Sequence, residues 1–312
     1  MLRQTFTDFE FIIFDDGSTD DTAEQLAGYQ DSRLRIFCNP QNEGLTKNLI
    51  KGMDLAQGEY VARMDADDIC LPQRFKSQVD FLELNRSVSV VGSSVTFFDG
   101  AGHESVAYQP TGHDEIKCEL FYAFTMLHPS VMLRKADFDR HGLAYEAEYV
   151  CSQDHDLWVR AIRKLRFANL LEPLLKMREH ACKIGRTRRK QQEEFSNRAR
   201  KWQLDELGVD YTESELRAFN QSANGEPSTG TEDLQLLEAM LLKIFEANET
   251  KGVFEQTLLI RRGAECFRSR CRDALLQKQP WGRYYWRSRI RAFDSVPLRE
   301  KAGLALRSLV SR

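Results

Sequence analysis

Long apolar runs are missing from this chain of 312 residues. No stretch approaches the 18 or so apolar residues of a spanning helix, and the opening Met1-Leu2-Arg3-Gln4-Thr5-Phe6-Thr7-Asp8 has no apolar segment of signal-peptide length. Any membrane contact is expected to be peripheral. Zinc-type cysteine spacing is missing too. The seven cysteines, at 38, 70, 118, 151, 182, 266 and 271, form an odd set without a C-x-x-C pair, which reads as reduced thiols in a cytoplasmic protein. There is no internal repeat and no long low-complexity tract. With 42% hydrophobic and 29% charged residues, the composition excludes a disordered or collagen-like chain.

A formal net charge of -3 hides an asymmetry: residues 261–312 carry 14 Lys/Arg against 4 Asp/Glu, so the rest of the chain is strongly acidic. In the first half, short apolar and β-branched runs alternate with helical spacing. Phe9–Phe14 reads as a buried strand, Thr22–Tyr29 as a short helix and Leu34–Phe37 as a strand. Leu45, Leu49, Ile50, Met53 and Ala56 mark a second helix, and Tyr60–Met64 a further strand. Pro72 opens a helix through Leu84, and Val88–Phe98 reads as another strand. This alternation predicts an α/β fold, a mostly parallel sheet with helices on both faces and ligands at the carboxyl ends of its strands. After about residue 185 the strand signal stops. Thr212-Glu213-Ser214-Glu215 and Thr231-Glu232-Asp233 then precede helical spacing, and residues 224–230 read as a linker. The expected division is 1–185 for the α/β domain and 186–312 for a helical region.

Two strands end in acidic clusters, Asp15-Asp16 and Asp65-Ala66-Asp67-Asp68. One D-x-D is commonly a solvated loop, but two clusters at strand ends of one sheet concentrate charge that a hard divalent ion such as Mg²⁺ or Mn²⁺, carrying phosphate oxygens, would neutralise. A third group, Gln153-Asp154-His155-Asp156, leads into a helix marked by Leu157, Trp158 and Ile162. Asp156 suits an N-terminal cap, while Asp154 is placed to accept a proton as general base.

These segments, with Asn42-Glu43-Gly44-Leu45-Thr46-Lys47-Asn48, Pro72-Gln73-Arg74-Phe75, Val90-Val91-Gly92-Ser93, His128-Pro129-Ser130-Val131-Met132 and Arg178-Glu179-His180, resemble the family 2 glycosyltransferases in order and spacing over roughly residues 4 to 190. The resemblance implies a GT-A, Rossmann-like fold, a nucleotide-sugar donor, usually a UDP- or dTDP-sugar, a divalent metal, Mn²⁺ or Mg²⁺, and inversion at the anomeric carbon. It assigns Asp15 and Asp16 to the nucleotide base, Asp65 to the ribose and Asp67 to the metal, with Asp154 as general base. Ser18 and Lys47 fall in the donor-binding segments, with Lys47 able to approach a phosphate. His180 falls where some members place a further contact to metal or diphosphate. The acceptor is expected to be a glycan or a lipid-linked sugar of a cell-surface polysaccharide.

Two features depart from the family pattern. Members normally open with a strand, a Pro-x-Tyr-Asn-like turn and a helix before the stretch found here at Gln4 to Glu10, so this chain is expected to lack the first strand and helix. Gln153 also stands where a Glu is common. The first departure motivates an alternative reading, a catalytically weak homologue acting as a binding or scaffold protein. A second alternative, a sugar nucleotidyltransferase, is opposed by the absence of a Gly-rich, Arg/Lys-bearing phosphate loop near the N-terminus. In the basic C-terminal segment Trp281, Tyr284, Tyr285 and Trp286 interleave with Arg283, Arg287, Arg289 and Arg291. It is open to three readings: contact with an anionic membrane at the inner face, packing of the aromatics on the acidic catalytic domain, or nucleic-acid binding, for which no motif is present.

Overall fold

The computed structural model describes residues 1–123, 125–179 and 189–295, so His180 and Cys182 lie outside the described residues. The chain divides into two compact units. One comprises Met1–Ile116 and Thr125–Ser196; the other takes the described residues of 117–124 and those from 197 on.

In the first unit, β1 (Phe11–Asp15) and β2 (Leu34–Cys38) pair in parallel around helix α1 (Thr22–Ala27), in register from Phe11 opposite Leu34 to Asp15 opposite Cys38. Helix α2 (Leu45–Leu55) follows. A second sheet contains β3 (Tyr60–Ala62), β4 (Ile69–Cys70), β5 (Val88–Phe98), β6 (Glu104–Ala107), β7 (Met132–Arg134) and β8 (Arg166–Arg178). Its order is β3-β7-β5-β8-β4, with β6 on β5. β5 lies at the centre because Val88, Val90, Val91 and Val95 alternate with small Gly92, Ser93 and Ser94, which lets both faces be covered: its first nine residues are buried. Helices α3 (Arg74–Leu84), α5 (Lys135–His141) and α6 (Gln153–Ala161) complete the α/β alternation, while α4 (His113–Tyr122) starts in this unit and belongs to the second from Lys117 on.

The expectation of a mostly parallel sheet needs correction, although the α/β class stands. β1–β2 and β5–β8 are parallel, whereas β3–β7, β5–β7, β5–β6 and β4–β8 are antiparallel. For β5–β6 the physical reason is connection length. β5 and β6 are joined by the tight turn in which Asp99 N donates to the His103 carbonyl, and so short a link permits only antiparallel pairing. Along β8, Pro173 has no N–H to donate, and the register with β5 shifts on both sides of its partner Ser94.

The second unit is helical. Its helices are α7 (Arg189–Leu207), which starts in the first unit, α8 (Glu213–Ala223), α9 (Thr231–Lys251) and α10 (Gln256–Leu276), followed by 3-10 turns at Pro280–Trp286 and Arg289–Ala292. The motif at Thr212 is realised as a capping box: Thr212 Oγ1 accepts from Glu215 N, and Glu215 Oε2 accepts from Thr212 N. Leu237, Leu241, Ile244, Phe267, Cys271 and Tyr285 are among the buried residues of its core. The aromatics of the basic segment therefore pack on this unit's own core, a correction to the packing reading above. Tyr285 is fully buried with its hydroxyl donating to Asp294 at 2.8 Å, and Tyr284 donates to Glu238 at 2.5 Å.

Candidate active site

The first acidic cluster shapes a loop. Asp15 is buried at the end of β1 and accepts from Ser18 N at 3.0 Å. Gly17 makes the turn at φ +77, where an added Cβ would lie 2.7 Å from the backbone of Gln41, so only glycine fits. Asp16 reaches across to the neighbouring loop. Its Oδ1 accepts from Glu43 N and Asn39 Nδ2, and its Oδ2 from Gly44 N, all at 2.9 Å. Burial opposes its ionisation, but the N–H donors of Glu43, Asn39, Asn48 and Gly44 outweigh it and hold the carboxyl at about 2. Asp16 thus fixes the entrance to α2. Lys47 is exposed on that helix, and the adjacent Thr46 donates to the carbonyl of Tyr149 at 2.5 Å, tying α2 to the segment that leads into α6.

The second cluster is a turn clamped from three sides. Arg63 N donates to the Val131 carbonyl at 3.1 Å, and the Arg63 guanidinium pairs with Asp65. Arg74, fully buried, donates to the carbonyls of Arg63 (2.9 Å) and Val131 (3.1 Å) and to Gln78 Oε1 (3.0 Å). From β8, Arg178 N donates to Asp68 Oδ1 at 2.9 Å and Arg178 Nε to the Asp67 carbonyl at 3.1 Å. The result brings carboxylate oxygens of Asp65, Asp67 and Asp68 within 4.8 Å of one another. Three hard oxygen donors so gathered, with Asp67 exposed, fit a divalent ion that keeps open positions for phosphate oxygens.

Asp154 stands in the first turn of α6, whose entry is strained: Ser152 takes φ +55, unusual for a residue with a side chain. That conformation is held by Ser152 Oγ donating to the Gln192 carbonyl at 3.1 Å and meeting Ser196 Oγ at 3.3 Å. Burial raises the pKa of Asp154. The His155 N–H and the Arg63 charge pull it down, and Asp65 pushes it up, for a net upward shift. His128 meets the Tyr145 hydroxyl at 2.7 Å through Nε2, and burial together with the Arg63 charge keeps it neutral. Asp156 is not a cap. It is buried and pairs with Arg160 one turn along at 2.5 Å, because a carboxylate at the fourth helical position reaches forward to a basic residue at i+4 rather than back to the first turn.

The structure therefore brings Asp65 and Asp154 to Arg63, sets Asp67 and Asp68 beside Asp65, and keeps Asp15, Asp16 and Ser18 together in the loop after β1. A cleft of about 340 Å³ lined by Phe14, Phe37, Asn39, Lys51 and Asp54 contains none of the second cluster. Sequence reasoning missed the roles of Arg63, Asp68, Arg74 and Tyr145. The signal for Arg63 was a single cation at a strand end directly before the acids.

Residues 1–143 match the family model described as glycosyl transferase family 2. A glycosyltransferase of Methanocaldococcus jannaschii is 35% identical over 57% of this chain, which spans 63% of that relative, a little under two thirds of its length. The O-antigen biosynthesis glycosyltransferase WbnJ of Escherichia coli is 30% identical over 58% of this chain and 72% of its own. Among solved structures, residues 1–349 of S. aureus TarS superpose with a TM-score of 0.54 at 17% identity, covering 89% of this chain and 85% of that one. The same fragment crystallised with UDP gives 0.50 at 18% identity, covering 94% and 81%. With a relative of this similarity matched over more than two thirds of its length, the chain belongs to glycosyl transferase family 2.

Proposed function

We propose that the protein transfers a sugar from a nucleotide-sugar donor, a UDP-sugar, to a hydroxyl of a glycan or lipid-linked acceptor with inversion, in the synthesis of a cell-surface polysaccharide. The observation that carries the reading is the cluster of Asp65, Asp67 and Asp68, with Arg63 pairing Asp65 and acting on Asp154. Asp154 has the raised proton affinity of a general base, so it takes the proton of an acceptor hydroxyl while that oxygen attacks the anomeric carbon. Asp65, Asp67 and Asp68 would hold Mn²⁺ or Mg²⁺, which when bound supplies positive charge for the leaving diphosphate. Arg63 keeps Asp65 in place and offsets part of the repulsion among the four carboxylates. Asp15, Asp16, Ser18 and Lys47 are assigned to the donor, with Asp16 acting through the loop it braces.

UDP is favoured because the structural neighbour TarS was crystallised with it, and a polysaccharide product because WbnJ is named for O-antigen biosynthesis. We place the protein in the cytoplasm, at the inner face of the membrane. The basic residues from 261 on suit an anionic surface. Calorimetric titration with UDP, with and without Mn²⁺, tests the assignment. Metal-dependent binding lost in Asp67→Asn supports it, and metal-independent binding, or none of UDP at all, overturns it.

A further inference from the structure

In the second unit, the 3-10 turn Pro280–Trp286 carries donors that the fold shields but does not use. Nε and Nη2 of Arg283 are shut off from solvent without a hydrogen-bond partner among the described residues, and the same holds for Nε1 of Trp281. Neither residue is idle surface. Trp281 packs against the helical core, and Arg283 is half-buried. Neighbouring cations differ in having a charge partner: Arg268 pairs with Asp294, Arg270 with Asp273 and Arg262 with Glu119, although Nε of Arg262 and of Arg270 is likewise shut off without a hydrogen bond, and Arg291 lies over the Trp286 ring. A desolvated guanidinium edge without an acceptor is costly, and folded proteins keep such groups where a partner arrives from outside.

The identity of the two atoms points to that partner. Nε and Nη2 form the guanidinium edge whose two N–H bonds run parallel, the fork that matches two oxygens of a phosphate or carboxylate. The surroundings choose between them. Arg287, Arg289 and Arg291 are exposed within eight residues of Arg283, whereas the nearby Asp294 is buried and committed to Tyr285 and Arg268. This excess of exposed positive charge along the segment favours the ligand of higher charge density.

We propose that the Pro280–Trp286 turn is a phosphate-binding site in which Arg283 grips the anion side-on, the phosphate coming from an anionic lipid headgroup or a soluble phosphate. A rotamer change of the half-buried side chain brings its edge out to the ligand. The site stands apart from the transfer chemistry, and its test needs no substrate.

The test uses the full chain and its Arg283→Gln, Arg283→Lys and Arg287→Gln variants in two measurements. The first is co-sedimentation with phosphatidylcholine vesicles with and without phosphatidylglycerol. The second is the melting temperature with added inorganic phosphate. The site requires that Arg283→Gln melts no lower than the parent, since it removes two shielded donors that lack a partner. It also requires that Arg283→Gln and Arg283→Lys both weaken binding by about tenfold, while Arg287→Gln costs about fivefold or less, the contribution of one basic residue at an anionic surface. Vesicle binding that inorganic phosphate competes away identifies the headgroup as the source; stabilisation by phosphate without vesicle binding identifies a soluble one. Three results overturn the proposal: no response to either probe, a marked fall in melting temperature for Arg283→Gln, or an Arg283→Lys variant equal to the parent with Arg283→Gln equal to Arg287→Gln. The last would mean diffuse surface charge only.

Discussion

Replacing Asp154 by Asn combines two effects of opposite sign. Without its carboxylate the acceptor proton has no destination, so transfer should fall by about 10²- to 10⁴-fold while UDP binding is retained; unchanged turnover would remove Asp154 from the mechanism. Stability should move the other way. Burial raises the pKa of Asp154 above its ordinary 3.8, so the folded state holds this proton more tightly than the unfolded chain does. The stability it contributes is present at acid pH and lost as pH rises from 3.8 through the folded value. Asp154→Asn should therefore melt higher than the parent at pH 7, with the gain disappearing toward pH ~3, where both carboxyls are protonated. His128 has the reverse sign. Its pKa is depressed by burial and by Arg63, so its contribution is intact above 6.5 and declines as pH falls below that value, a trend that His128→Gln should flatten in thermal melts. Arg63→Gln leaves Asp65 and Asp154 without the cation that acts on both, beside the cluster of Asp65, Asp67 and Asp68. It should lower the melting temperature in EDTA and enlarge the rise produced by Mn²⁺, and an Mn²⁺ response equal to that of the parent would contradict this electrostatic role.

At the scale of elements, the turn after β3 is only as rigid as the groups that clamp it. Arg74 sits in the first turn of α3 with its guanidinium donating to the carbonyls of Arg63 and Val131 and to Gln78 Oε1, so a methionine there leaves the Arg63 carbonyl and Gln78 Oε1 without this donor and the Val131 carbonyl with only the Arg63 N–H. The expected cost is about 3 kcal/mol or more, a fall of about 10 °C in melting temperature. Donor binding should weaken in parallel because the acidic turn loses its support. In the helical unit, Gly282 packs against α10 so closely that an added Cβ would lie 2.6 Å from the Cys271 carbonyl and 2.9 Å from Leu275 N. Both are backbone atoms of a helix and cannot yield cheaply. Gly282→Ala should push the Pro280–Trp286 turn off α10 and lower the melting temperature, measurable by near-ultraviolet circular dichroism at the surrounding tryptophans.

For the whole molecule, the separation of an acidic α/β part from a basic end has consequences for assay conditions. The clustered carboxylates proposed for donor and metal lie in the first unit, whereas the exposed Arg287, Arg289 and Arg291 lie in the second. Rising salt should therefore weaken any vesicle binding before it weakens metal-dependent UDP binding, because screening acts most on exposed charges. If the proposed donor site binds UDP with Mn²⁺, a hundredfold excess over Kd should stabilise the folded state by about 3 kcal/mol, which calorimetry should show as a shift of several degrees.

The sequence by itself determined the elements whose signal is local. The run Phe9–Phe14 ending at Asp15-Asp16 became β1 and its loop, Tyr60–Met64 ending at the acids became β3 and its turn, and the Thr212 capping box began α8, because short-range periodicity and side-chain reach suffice for each. Strand direction was beyond it. Whether β5 runs parallel to β8 and antiparallel to β7 depends on partners more than thirty residues away, which no local pattern encodes. The same limit hid the pairing of Arg63 with Asp65, its electrostatic reach to Asp154 and the burial of Arg74, since each arises only when β3, β7, α3 and α6 are packed together. Which carboxylates the protein carries is written in the chain; their proton affinities and their shared cation are decided by distances and burial that exist only in the folded state.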